Sequence, residues 1–424
     1  MASEKFKLHR IGWTKAAPAP ESVRVGDFIY TSSIYPIDDS GHAITVDERL
    51  GETGPALISA QTRHCLGTLK RVLEEQQSSL DRVLKADVHL AEASDFYEFK
   101  LVWREFFPID PPARATIEVG ECFPIPNVRL NLDVVALAGD STFTRQVLRD
   151  PSGLDPLEAE WATAAVRAGQ FVFCSAFTAS DFKSGIAVGK LSAYPNYGNN
   201  AEMQAEYVYA RLDRVLGTAG TSLANAVDKR LYETDLLTFH DVDKIGIRYM
   251  PMPPPRSSIG VKGLIVPKAD FVASFTVLVP DENHTKEGSR KGINWHPSKK
   301  VNFTPTIKAG EWRFFAGNFA SPDFMSVEAA PTGLPNHLSD IEVQTRCTME
   351  LLREQIEANE SDWAHCHHVR VFLLDVQRNY RGFIRVWREY FPDPDQSPAL
   401  CVVPATALMF PGPIIEINPT CVAL

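Results

Sequence analysis

Alternating apolar and polar positions predict the first recurring element of this chain. Between Val23 and Ser33 the sequence VRVGDFIYTSS alternates on both sides of a Gly-Asp dipeptide, which suits the tight turn of a β-hairpin. Similar strings surround Gly169 (VRAGQFVFCSA) and Gly310 (IKAGEWRFFAG). They follow one another at intervals of roughly 140 residues, and a fixed period of this kind indicates an internally repeated architecture.

An amphipathic helix is predicted after each hairpin. In the first repeat, apolar side chains recur at three- and four-residue spacing, which indicates a helix with one buried stripe. These residues are Cys65, Leu66, Leu69, Val72 and Leu73. A strand and a second amphipathic helix follow. In the second repeat, the Gly-, Tyr- and Asn-rich stretch at 183–200 is predicted to be a surface loop.

A second hairpin with a distinctive sequence pattern ends each repeat, at 111–133, 253–275 and 397–418. In each span two β-like runs flank a proline-containing loop. The first run carries Arg114 in the first repeat and Arg256 in the second. Each repeat therefore reads hairpin, loop, helix, strand, helix and final hairpin.

Length and composition agree with three domains. The chain has 424 residues, of which 44% are apolar, so burial of three separate cores is feasible. We predict units at residues 1–143, 144–283 and 284–424, each of a size usual for a domain with one core.

Charge and cysteine content narrow the partners and the location. A net charge of −10 and a pI near 5.6 argue against a nucleic-acid partner, because phosphate binding requires clustered Lys and Arg. Seven cysteines without a CxxC pair suggest reduced thiols and a cytoplasmic protein. The sequence contains no apolar run of 18 residues, so no membrane span is expected.

The three closing hairpins resemble the signature of the Rid (YjgF-like) reactive-intermediate deaminases, which is P-x-R-[ST]-x-x-x-V, a Leu-Pro loop and V-x-[IV]-E-[IV]-E. The resemblance covers nearly the whole chain. It implies an α+β, chorismate-mutase-like fold in which two helices back a mixed β-sheet in each unit. Family proteins are typically homotrimers that form a central barrel with a pocket at each interface. Three fused units therefore imply a monomeric, pseudotrimeric barrel.

The resemblance also implies site residues. In the family an arginine binds the substrate carboxylate, and a glutamate near the imine carbon handles the water. By position, the arginine corresponds to Arg114, Arg256 and Leu400, and the glutamate to Asn131, to Ala273 or Ser274, and to Glu416. Because no unit holds both, we predict one complete catalytic site, in which Glu416 is paired across an interface with either Arg256 or Arg114.

A substrate-binding loop after the first hairpin is implied as well, together with a pocket tyrosine seven residues before the hairpin glycine. Only unit three keeps the loop glycine, and only unit three keeps an aromatic residue at the tyrosine position, without its hydroxyl. The predicted substrate-binding residues are Phe303, Ala316, Gly317, Asn318, Ser32 and Ser175.

These residues favour an enzyme that acts on an imine, enamine or related electrophilic nitrogen compound, by hydrolytic deamination or by isomerisation or cyclisation. The alternative is a non-catalytic small-molecule-binding or scaffold pseudotrimer. A cyclic-amide hydrolase with a three-repeat layout is less favoured, because no matching Ser-Lys pattern is found. No cofactor is implied. His365, His367 and His368 invite a metal interpretation, but strand alternation would split them between two faces, so no metal site is predicted.

Overall fold

The structure is a computed structural model that describes residues 6–47, 54–152, 162–180, 185–186, 200–293, 302–323, 326–329 and 339–424. Most of the surface loop predicted at 183–200 lies outside these residues. In the described part of the chain, the strands form three mixed sheets, one of seven strands and two of six. No helix in these ranges is long and apolar enough to cross a membrane.

Three consecutive stretches of chain build the sheets. The first contains β1 (His9–Ile11), β2 (Ser22–Val25), β3 (Phe28–Thr31), α1 (Leu57–Glu75), β4 (Val83–Leu90), α2 (Phe96–Phe106), β5 (Ala113–Glu118) and β6 (Leu130–Leu137). The second contains β7 (Gln146–Leu148), β8 (Ala165–Ala168), β9 (Phe171–Cys174), α3 (Asn200–Gly217), β10 (Ala226–Glu233), α4 (Phe239–Tyr249), β11 (Arg256–Gly260), β12 (Gly263–Leu264) and β13 (Phe271–Leu278). The third contains β14 (Lys286–Ser289), β15 (Thr306–Ala309), β16 (Trp312–Phe315), α5 (Asp340–Ala358), β17 (Cys366–Leu374), α6 (Val376–Tyr390), β18 (Ala399–Ala405) and β19 (Ile415–Val422).

All three sheets share one strand order. The orders are β1-β2-β3-β6-β4-β5, β7-β8-β9-β13-β10-β11 and β14-β15-β16-β19-β17-β18, and β12 extends the first sheet by pairing with β5. The last two strands of each order are parallel, and their neighbours are antiparallel. The first hairpins turn at Gly26, Gly169 and Gly310, with φ of 56°, 55° and 61°, a region that favours glycine. The predicted α+β repeat is confirmed.

Helices pack on one face of each sheet, as their apolar stripes require. In the first unit, Leu66 and Leu69 of α1 and Trp103 of α2 lie in one core with Val88 and Leu132 of the sheet. Comparable cores form under the helices of the second and third units. The opposite faces of the sheets turn toward one another and form a core that all three units share.

Three equivalent hydrogen bonds join the units in a closed cycle. The N–H of Ala176 donates to the carbonyl oxygen of Arg114, that of Gly317 to Arg256, and that of Ser33 to Leu400. The N···O distance is 3.0 Å in each of the three bonds. The closing hairpin of unit one thus contacts unit two, that of unit two contacts unit three, and that of unit three returns to unit one. This arrangement has the pseudo-threefold symmetry expected of a fused trimer.

Aromatic rings at equivalent hairpin positions meet where the units converge. The ring centroids of Phe28 and Phe171 are 5.9 Å apart. The ring of Trp312 lies 5.6 Å from that of Phe28 and 5.5 Å from that of Phe171, measured between centroids. All three side chains are almost completely buried. They form an apolar contact between the units that uses the same position of each repeat.

A charged cluster also joins the units, and it breaks their equivalence. Asp87, Arg230 and Arg370 occupy the same position of β4, β10 and β17. Asp87 accepts hydrogen bonds from Arg230 (2.5 Å) and Arg370 (2.8 Å), and Arg370 also donates to Asp133 (2.6 Å). Identical units would place three like charges here, at a high cost in a buried site. The ion pairs at this position therefore require that unit one, with its aspartate, differ from units two and three, with their arginines.

Because each unit finds both of its neighbours within the chain, we propose that the protein is monomeric. Multi-angle light scattering should give a mass close to 47.1 kDa over a wide concentration range. A stable species of three times that mass would contradict this prediction.

Candidate active site

A cavity of about 830 Å³ lies between units two and three. Unit two contributes positions 234–237, 239–240, 256, 258 and 260, and unit three contributes 302–303, 317, 319, 374, 406–413 and 416. Of the predicted site residues, Glu416, Arg256, Phe303 and Gly317 therefore line one cavity. The cavity also identifies the arginine that accompanies Glu416: it is Arg256 of unit two, not Arg114 of unit one.

Glu416 points into this cavity because of its place on β19. Its neighbours Ile415 and Ile417 face the helix-side core of unit three, so strand alternation turns Glu416 to the other face. The side chain passes directly over Gly317, where an added Cβ would lie 1.8 Å from the carboxylate Oε1. Only glycine leaves room for the carboxylate in this position.

Burial makes Glu416 a weaker acid than an exposed glutamate. The residue is 3% exposed, and loss of hydration raises the pKa of its carboxyl group to about 7. The Ser257 hydroxyl and the Arg256 charge lower this pKa in part. The Ser257 hydroxyl lies beside the carboxylate without reaching full hydrogen-bond geometry. Glu416 can thus gain or lose a proton near neutral pH, as a general acid or base requires.

Arg256 begins β11 and is held by three side chains. Its guanidinium carbon lies 4.2 Å from the ring centroid of Phe239 and 5.4 Å from that of Phe303. A guanidinium nitrogen is hydrogen-bonded to the Asp243 carboxylate. These contacts fix the orientation of the guanidinium at the cavity wall.

The charges around Arg256 leave an excess of positive charge. Asp243 is shared, because Lys229 Nζ lies 3.3 Å from its other oxygen. Burial raises the pKa of nearby Glu233 to about 8, so this carboxyl group is mainly protonated at neutral pH. While Glu416 is protonated, two cations, Arg256 and Lys229, therefore face one anion, Asp243. This balance favours the binding of a substrate carboxylate beside Arg256.

Arg114 lies at the interface of units one and two, away from Glu416. It is 3% exposed, and its guanidinium carbon lies 5.1 Å from each of the ring centroids of Phe96, Phe99 and Trp103. Burial lowers its pKa to about 9. Arg114 therefore packs against the aromatic side chains of its own unit and does not line the cavity.

The strand registers correct one alignment. Phe372 is paired with Glu416, and Tyr232, at the same position of β10, is paired with Val272. The residue of unit two that matches Glu416 is therefore Val272, and the prediction of Ala273 or Ser274 was wrong. A shift of one residue matters because it moves a side chain to the opposite face of the sheet.

The remaining predicted substrate-binding residues do not line this cavity. Ser32 donates to the carbonyl of Pro20 (2.6 Å) and accepts from the N–H of Leu400 (2.8 Å). Ser175 makes matching bonds to Thr163 (2.5 Å) and Arg114 (2.8 Å). Both hydroxyls therefore hold backbone at unit interfaces.

Ala316 and Asn318 flank Gly317, and their backbone groups form hydrogen bonds within unit three. Ala316 donates its N–H to Pro305 (2.9 Å), and Asn318 forms a two-way bridge with Ile417. Sequence reasoning missed the contributions of Phe239, Asp243 and Glu233. These residues belong to unit two, and no signature marks them.

One histidine of β17, His368, belongs to a cluster of side chains of the kinds that bind metal ions. Ligand atoms of Asp133, His368 and Cys401 lie within 4.8 Å of one another, and all three residues are buried. The Asp133 carboxylate already accepts a hydrogen bond from Arg370 at 2.6 Å. A metal ion at this position would have to share Asp133 with that guanidinium.

Comparison with known proteins gives matches to each repeat. The family model described as "Endoribonuclease L-PSP" matches residues 14–138, 155–272 and 295–423. A RutC family protein of Pyrococcus abyssi is 32% identical over 113 residues, which are 25% of this chain and 81% of that protein. The 3-aminoacrylate deaminase RutC of Acinetobacter baylyi is 30% identical over 104 residues, or 24% of this chain and 75% of that protein.

A crystal structure of yeast Mmf1 is 27% identical and covers 31% of this chain and 99% of that one, with a TM-score of 0.26. Three matches of one family model, each to a stretch that builds one sheet, cover most of the sequence. The chain therefore belongs to the L-PSP endoribonuclease family, the family of the Rid (YjgF-like) proteins, as three fused units.

Proposed function

We propose that this protein is an enzyme that hydrolyses an imine or enamine carrying a carboxylate, at the cavity between units two and three. The observation that carries the proposal is that Arg256 and Glu416, from different units, line one cavity. The similarity to a protein named 3-aminoacrylate deaminase supports this class of substrate at the level of the family.

Each residue has a chemical role in this proposal. The guanidinium of Arg256 binds the substrate carboxylate and places the imine carbon toward Glu416. The Glu416 carboxylate accepts a proton from water as the water oxygen bonds to the imine carbon and the C=N π bond opens, and it then returns that proton to the nitrogen. The resulting carbinolamine loses its nitrogen as ammonia when the C–N bond breaks and the carbonyl forms. One water is consumed, and one ammonia and one oxo acid are released.

A binding protein without turnover is the second candidate. The observation that favours it is Phe303, which stands in the cavity where the family has a tyrosine and cannot supply a hydroxyl. Affinity and turnover separate the two candidates, because only the enzyme depends on Glu416 after the ligand has bound.

Replacing Arg256 with methionine should weaken binding of a 2-oxo acid by about 1.5–3 kcal/mol, the usual contribution of a hydrogen bond to a charged group. Isothermal titration calorimetry with the wild type and the variant measures this difference. Arg114→Met is the matched control, since it removes an arginine from the equivalent strand position outside the cavity.

The control variant should bind the 2-oxo acid as the wild type does. Circular dichroism should first establish that both variants are folded, because Arg256→Met leaves Asp243 with Lys229 as its remaining partner. Equal losses of affinity in the two variants, or a loss confined to Arg114→Met, would contradict the assignment of Arg256.

A further inference from the structure

We infer that the site selects a carboxylate-bearing substrate with an aromatic or similarly bulky apolar substituent, rather than a three-carbon imino acid. The inference rests on the proposed function and adds the substrate class. It follows from the size of the cavity, the side chains that line it and the position of its opening.

The cavity is much larger than a three-carbon acid needs. Its volume of about 830 Å³ lies toward the upper end of the range of about 300–1,000 Å³ that is common for pockets holding drug-sized ligands. With a methyl substituent, the substrate would occupy only the region between Arg256 and Glu416, and water would fill the rest. A bulky substituent would displace that water from apolar walls, which favours binding.

Aromatic side chains from unit three supply those walls. Phe319 and Phe410 lie in edge contact, with ring centroids 5.1 Å apart, and both line the cavity. Leu408 and Met409 belong to the same wall. Flat aromatic surfaces of this kind pack well against another ring, in edge or offset geometry.

Of the three equivalent positions, only that of Phe319 in unit three carries a ring without a hydroxyl group. Bridges between Asn318 and Ile417, Phe177 and Ala273, and Ile34 and Leu132 align the three loops. The residue after each first-named partner is Phe319 in unit three, Thr178 in unit two and Tyr35 in unit one. The phenylalanine therefore accompanies the one unit that carries Glu416.

Unit two contributes an apolar edge. Leu236 and Leu237 line the cavity, and Leu237 is 84% exposed, so it marks a side that is open to solvent. An exposed leucine at this edge gives an apolar contact to a substituent that extends outward from the two charged groups. The cavity therefore offers charge where Arg256 and Glu416 lie and apolar surface elsewhere.

Two independent measurements test the inference. The first is the affinity for phenylpyruvate and for pyruvate, the stable oxo-acid products of the two candidate substrates, by titration calorimetry. The second is the kcat/KM for the corresponding imines, generated in place from phenylalanine and alanine by an amino-acid oxidase. We expect at least a tenfold preference for the phenyl compound in both measurements, because even one methylene in an apolar pocket gives about 10–200-fold discrimination.

Phe319→Leu should reduce this preference at least threefold. Tyr35→Leu is the matched control, because it removes a ring from the equivalent position of unit one, and it should leave the preference unchanged. A loss of preference in the Tyr35 variant alone would overturn the assignment of the wall.

The outcomes separate the substrate class from the function. Equal or better binding and turnover of the small compounds would overturn the inference and leave the proposed hydrolysis standing. Preferred binding of phenylpyruvate without hydrolysis of either imine would support the inference and remove the enzymatic proposal. Failure of a folded protein to bind either oxo acid would overturn both.

Discussion

Glu416→Gln should lower kcat for imine hydrolysis by about 10²–10⁴-fold, the range typical of a lost general acid or base. Glutamine has nearly the same shape as glutamate but cannot accept a proton from water. Binding of the oxo-acid product should change little, because Arg256 remains in place. Steady-state kinetics and calorimetry on the same preparation measure the two quantities.

The pH profile gives a second test of the same residue. Because burial raises the pKa of Glu416 to about 7, its carboxylate form is lost as the pH falls below neutrality. If the carboxylate takes the proton from water, kcat of the wild type should rise with pH and level off above about 7. The residual activity of Glu416→Gln should lack this rise.

A matched change on an exposed helix surface, Glu350→Gln, should leave both kcat and the pH profile as in the wild type. Unchanged turnover in Glu416→Gln would remove the catalytic assignment. It would favour the alternative of a binding protein.

Arg370→Met should lower the free energy of unfolding by about 3–5 kcal/mol, as expected when one partner of a buried ion pair is removed. Asp133 would lose its hydrogen-bonded cation, and Asp87 would keep only Arg230 at comparable distance. Desolvation of the carboxylates would then be poorly compensated. Denaturant unfolding followed by circular dichroism measures the change.

Two further variants show whether the loss belongs to the buried cluster. Arg63→Met breaks an exposed ion pair with Glu105, and it should cost no more than about 1 kcal/mol. Adding Asp133→Asn to Arg370→Met should restore part of the stability, since it removes the carboxylate that lost its partner. If the Arg370 variant is no less stable than the Arg63 variant, the charged cluster does not hold the units together.

The charged cluster also gives a reason for the three units to remain in one chain. A position that is aspartate in one unit and arginine in the other two can form these ion pairs only when the units differ. A trimer of any single unit would repeat one charge three times in a buried place. Differences between the repeats are therefore used both in the core and at the candidate active site.

The repeated architecture could be predicted from the amino-acid sequence alone. Local signals sufficed for this, because hairpin glycines such as Gly26 and apolar stripes such as that of α1 depend mainly on neighbouring residues. Position within the closing hairpin also identified Glu416, and it showed that no unit has both an arginine and a glutamate. The sequence could therefore limit the candidate site to an interface.

The interface that holds the candidate site depends instead on how the units pack. The choice between Arg256 and Arg114 depends on the direction in which the units follow one another around the axis, and no local pattern encodes that direction. The strand register shows that Val272, rather than Ala273 or Ser274, is the equivalent of Glu416 in unit two. The sequence could not show this, because strand pairing depends on the whole sheet.

The roles of Ser32 and Ser175, and the pairing of Asp87 with Arg230 and Arg370, likewise depend on contacts between residues far apart in the chain. Such contacts form only when the three units pack against one another. The sequence therefore supplied the chemical groups, and the packing of the units determined which of them meet.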